Sequence, residues 1–155
     1  MSELIQECKE YIVQGGEAII KRRGCRRGLS EIKVSEFELY MLENQDVSFN
    51  ELLFMMIDKS NQKDSDVYKK ARIDRRLFSK IRSSKKYRPS KKTVLSLCLA
   101  LELSLDDATL LLASAGDSLS RSEEYDLAIT FCLIKKIYDF NDINDLLYEL
   151  GFEVF

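Results

Sequence analysis

The chain has 155 residues, enough for one well-formed core or for a compact domain with a helical extension at each end. One proline, six glycines and no tryptophan, among runs rich in Leu, Lys, Glu and Ala, favour helices over a sheet, so the expected class is all-α. The formal net charge of −2 hides a strong segregation described below, and the lack of any histidine excludes His-based triads and nearly all zinc sites.

In chain order, Leu4, Ile5, Ile12 and Val13 fall at near-helical spacing until Gly15-Gly16 interrupts them, and a second short helix is expected from Glu17 to Arg23. The loop KRRGCRRG follows. Its Lys21, Arg22, Arg23, Arg26 and Arg27 fit either a flexible arm that enters a nucleic-acid groove or a solvated surface loop. Ser35 to Glu43 reads as a helix carrying Phe37, Tyr40 and Met41, although Ile32 to Leu39 also fits a strand.

From Ser48 the signals sharpen. Ser48 and Glu51 stand at capping-box separation ahead of Leu52, Leu53, Met56 and Ile57. Asp64 or Ser65 can cap a short second helix holding Val67 and Ala71, and Asp74 a third holding Leu77, Phe78 and Ile81, with only Arg72 and Ile73 between them. Pro89-Ser90 starts a fourth helix, apolar almost all round from Val94 to Leu103, which belongs in the centre of a core. Ser104 and Asp107 open a fifth, with Leu110, Leu111, Leu112 and Ala115, that Gly116 can end in the left-handed conformation. Beyond it, Ser120 and Glu123 form a second capping box before Tyr125, Ile129, Cys132 and Leu133. After Asn141, Ile143, Leu146, Leu147 and Leu150 follow the helical stripe up to Gly151. The organisation expected is an N-terminal helical extension with a basic loop (1–47), a five-helix core (48–119) and a C-terminal helix pair (120–155).

Charge follows these divisions. From Asp58 to Lys92 there are 14 Lys and Arg against 4 Asp, a net +10, whereas 1–57 carries −3 and 93–155 carries −9. A basic block of that density is an electrostatic footprint for a polyanion. The opposite charges also allow the acidic C-terminal helices to fold against the basic face and inhibit it.

Other classes fit less well. Four cysteines form no C-x-x-C pair, and Cys98 and Cys132 fall in apolar helical stretches, where a thiol acts as a small hydrophobe. The longest apolar run, Thr93 to Leu101, is about half the ~20 residues needed to cross a bilayer, and the acidic N-terminus does not read as a secretory signal, so a cytoplasmic protein is expected. The carboxylates Asp106, Asp107, Glu123 and Glu124 fall at expected helix starts, where capping and the helix dipole explain them. No catalysis, cofactor or metal is expected.

The stretches DSDVYKKARIDRRLFSKI (Asp64 to Ile81) and SSKKYRPSKKTVLSLCLALELSLDDATLL (Ser83 to Leu111) resemble the lambda-repressor-like, or Xre, family of helix-turn-helix domains. The likeness lies in the order of five short helices, the tight second-to-third connection, the basic loop ending in Pro89-Ser90 and the step ALELSLDDA. It implies that the third helix enters the DNA major groove with Arg75, Arg76, Ser79 and Lys80 reaching base edges. Ser65, Lys85, Lys86, Arg88, Ser90, Lys91 and Lys92 would then meet phosphates. RNA is the alternative polyanion, and a homodimer through the C-terminal helices is a further expectation.

Three positions depart from the family pattern. Tyr68 replaces a small alanine and is expected to widen the angle between the second and third helices. Arg72 replaces a turn glycine and carries strain if its backbone is left-handed. Arg82 stands where many relatives have a glutamate. The Tyr68 and Arg72 departures suit a second reading, a non-catalytic protein-interaction module on a helix-turn-helix core, of the kind attached to effector domains in bacterial defence and stress systems.

Overall fold

Local capping chemistry sets most of the helix starts in the computed structural model, which describes residues 2–13 and 47–155. The helices are α1 (Ser2–Val13), α2 (Phe49–Ser60), α3 (Asp64–Lys70), α4 (Arg75–Ser83), α5 (Lys91–Ala100), α6 (Leu105–Ser114), α7 (Glu124–Lys135) and α8 (Phe140–Glu149), with no strand among the described residues. The class is therefore all-α. The elements expected between 17 and 43, the basic loop included, lie outside the described residues.

Ser48 and Glu51 form the expected reciprocal box, the Ser48 hydroxyl accepting from the Glu51 amide and the Glu51 carboxylate from the Ser48 amide. Asp74, Ser90 and Ser104 cap α4, α5 and α6 as their positions foretell. Three starts differ from expectation. The N-cap of α3 is Lys63, without a side-chain cap, because Asp64 lies one residue inside the helix and pairs with Arg82. The Ser120–Glu123 box does not form. Glu123 precedes α7 with no side-chain cap, and the Ser120 amide donates instead to the buried carboxylate of Asp126, at 2.7 Å. At α8 the cap is Asp139, so Asn141 lies within the helix.

Several helix ends follow one scheme, whereas α4 ends at Ser84 in an extended conformation. After α3 the Ile73 amide donates to the Tyr68 carbonyl and the Arg72 amide to the Lys69 carbonyl, the paired bonds of a Schellman closure, with Arg72 left-handed at φ 55°. Gly116 closes α6 in the same way at φ 82°, as its position foretells. Glu102 closes α5 at φ 54° and Lys136 closes α7 at φ 57°, so with Arg72 three closures that glycine would suit are made by charged residues.

The fourth helix of the central stretch, α5, is buried from Val94 to its end, as its apolar circumference requires. It packs on α3 and α6; α6 also meets α2 and α7, and α1 lies across α7 and α8. One cluster of buried side chains runs from Cys8 through Leu52, Leu97, Leu111, Phe131 and Ile143 to Leu147, so the C-terminal pair shares its core with the central helices. Burial pushes the Cys8 and Cys132 thiols up to about 12, and Cys98 higher still, which leaves all three inert small hydrophobes. The aromatics of the C-terminal pair mostly turn inward. Tyr125 meets Phe152, Phe140 meets Phe155, and the Tyr138 hydroxyl donates to the Leu103 carbonyl, whereas Tyr148 is 75 % exposed. Among the described residues no helix is long and apolar enough to cross a membrane.

Candidate nucleic-acid interface

The amphipathic pattern of α4 fixes what it presents. Phe78 and Ile81 are buried and Leu77 is half-buried, so Arg75, Arg76, Ser79 and Lys80 share the opposite, exposed face. The buried side is held by rings: Phe78 meets Phe54 at 5.9 Å and Tyr68 at 5.5 Å. Tyr68 thus serves as a wall between α3 and α4. The last carbonyls of α4 are held by a residue that sequence reasoning missed. Asn50, buried in the first turn of α2, donates its side-chain amide to the carbonyls of Ile81 and Arg82. A lone uncharged polar residue in register with Leu53 and Ile57 was the available signal.

The cations around α4 divide into two sets. Among the described residues Arg75, Arg76, Lys86 and Arg88 are exposed and make no ion pair. Lys80 extends over the Tyr87 ring at 4.7 Å, which steadies its ammonium beside the same face. The remaining cations are engaged. Arg82 pairs with Asp64 and covers the Phe54 ring. Lys85 binds the Glu51 carboxylate at 2.8 Å, and that hydrogen bond holds the Glu51 carboxyl below its usual range. Ser65 is half-buried in the first turn of α3.

At the amino end of α5, Ser90 is spent on its cap, bonding the Thr93 amide and hydroxyl. Lys91 donates to Asp126 at 2.6 Å and Lys92 to Glu153 at 2.8 Å. Both carboxylates come from the acidic third of the chain, and the positive end of the helix dipole favours them there. The residues nominated for phosphate contact are therefore not one open surface: Lys86 and Arg88 are open, while Lys85, Lys91 and Lys92 already hold carboxylates.

The turn between α3 and α4 is tied to the C-terminal pair as well. The Arg72 guanidinium donates to the Asn141 side-chain oxygen at 3.0 Å and lies 5.5 Å from the centre of the Phe140 ring. The left-handed backbone expected to strain Arg72 is present, and its side chain braces the turn against the start of α8.

No protein-family model, curated protein or solved structure matches this chain.

Proposed function

We propose that this protein is a nucleic-acid-binding regulator, with DNA the favoured target, that uses α4 as the recognition helix of a lambda-repressor-like helix-turn-helix. The observation that carries this reading is the exposed face of α4, where Arg75 and Arg76 stand beside Ser79 and Lys80 and make no ion pair among the described residues. Exposed guanidiniums at the start of a short helix have the reach to pair with guanine edges, and Lys86 and Arg88 add attraction that does not depend on sequence. A rigid mount supports the assignment. Phe54, Tyr68 and Phe78 hold the inner side of α4, Asn50 holds its end, and Arg72 braces the preceding turn.

A protein-interaction role is the second reading. The engagement of Lys91 and Lys92 by carboxylates favours it, because it leaves fewer cations for a phosphate backbone. Fluorescence anisotropy of a mixed-sequence DNA duplex at low salt separates the two. Wild-type protein is expected to bind, and the double substitution Arg75→Ala, Arg76→Ala to weaken binding at least tenfold, at ~1–3 kcal/mol for each base-pairing arginine. A folded wild type that binds no duplex at low salt overturns the proposal in favour of a protein partner.

A further inference from the structure

The two carboxylates that meet the amino end of α5 are not equivalent. Asp126 lies in α7 with its side chain 3 % exposed, and it accepts from Lys91 and from the Ser120 amide, so it is part of the buried framework. Glu153 lies beyond α8, its side chain 84 % exposed, and bonds only Lys92, itself 41 % exposed. The segment carrying Glu153 is pinned on both sides. The Phe152 amide donates to the Leu147 carbonyl and its ring meets Tyr125 edge-on at 6.0 Å. On the other side the Phe155 amide donates to the Asn144 side-chain oxygen at 2.8 Å, and its ring meets Phe140 at 5.6 Å.

Resting on the nucleic-acid reading above, we propose that Phe152–Phe155 is an autoinhibitory acidic strap whose Glu153 carboxylate occupies Lys92 and must release it before Lys92 can take a nucleic-acid phosphate. A solvent-exposed pair of this kind is intrinsically weak and reversible. The two aromatic anchors make its closure intramolecular, so a weak carboxylate competes at a high effective concentration. Lys92 holds the Glu153 carboxyl below its usual range, and an exposed glutamate is ionised at neutral pH in any case, so the strap is charged whether open or closed. Lys91, locked to a buried partner, takes no part in this exchange. Opening the strap therefore adds one cation to the surface, while the framework around Asp126 stays closed.

The test is anisotropy of a mixed-sequence duplex with full-length wild type, Glu153→Gln and Glu149→Gln, each also made in a Lys92→Ala background. Glu149 is exposed and forms no ion pair among the described residues, so its substitution reports the effect of removing one negative charge nearby. Glu153→Gln is expected to raise affinity about twofold to fivefold, more than Glu149→Gln does. Its log–log salt slope is expected to steepen by about one, as for one added phosphate contact. In the Lys92→Ala background the two substitutions are expected to have equal effects. Equal gains from Glu153→Gln and Glu149→Gln in the wild-type background, or an excess gain for Glu153→Gln that survives Lys92→Ala, overturn the strap alone. Absence of binding by every folded variant overturns the nucleic-acid reading and the strap with it.

Discussion

The exposed face of α4 and the amino end of α5 are equally basic in sequence and opposite in the folded chain. On α4, Arg75 and Arg76 are left open to solvent, whereas at α5 Lys91 and Lys92 are each held by a carboxylate from the acidic third of the chain. The difference comes from what faces each helix. Nothing acidic from the C-terminal pair meets the outer side of α4 among the described residues, while α7 and the segment after α8 bring Asp126 and Glu153 to α5. The basic block thus divides in two: part of it is left open to solvent, where we propose that a polyanion binds, and part ties the central helices to the C-terminal pair.

The contrast can be broken most severely at Asp126. Replacing it by alanine strips Lys91 and the Ser120 amide of their shared acceptor in a buried setting, and a loss of about 3 kcal/mol is expected, read from the urea midpoint. By comparison, Arg75→Ala with Arg76→Ala is expected to cost no more than ~0.5 kcal/mol of stability, since neither side chain has a partner to lose. If the two costs are alike, the division into tied and open cations is wrong. A smaller effect sharpens the picture at the turn. Arg72→Ala keeps a side chain in the left-handed region and removes the contacts to Asn141 and Phe140, so a loss of about 1 kcal/mol is expected. Arg72→Gly relieves the backbone while losing the same contacts, and its melting temperature should fall closer to wild type. Equal losses for the two would show that the brace, and not the backbone, sets the energetics of this turn.

What the sequence made legible was local. Ser48, Asp74, Ser90 and Ser104 each act within three residues of their own position, and all four cap as expected. The apolar circumference of α5 and the polar face of α4 likewise follow from periodicity alone. Expectations failed where a distant group competed for the local donor or acceptor. Asp64 forgoes capping because Arg82 takes its carboxylate, and the Ser120–Glu123 box fails because the Ser120 amide goes to Asp126 and its hydroxyl accepts from the Ser122 amide. The pairing of Lys91 and Lys92 depends on partners 35 and 61 positions away, and neither spacing nor composition encodes such distances. The site was therefore half legible: residue types and the face of α4 could be read, but which cations remain available could not. Arg72 shows both sides of this: the tight turn between α3 and α4 was legible in the sequence, while its left-handed backbone and its use as a brace on α8 were not.

The central claim is that the open cations of α4 and the loop after it form the nucleic-acid surface. Titrating isotope-labelled protein with a mixed-sequence DNA duplex and following backbone amide shifts by NMR tests it most directly. The account predicts that the largest shifts cluster over 75–88, with α6 and the outer face of α8 around Tyr148 unmoved. Shifts concentrated on α8, or a spectrum unchanged at low salt, would contradict it.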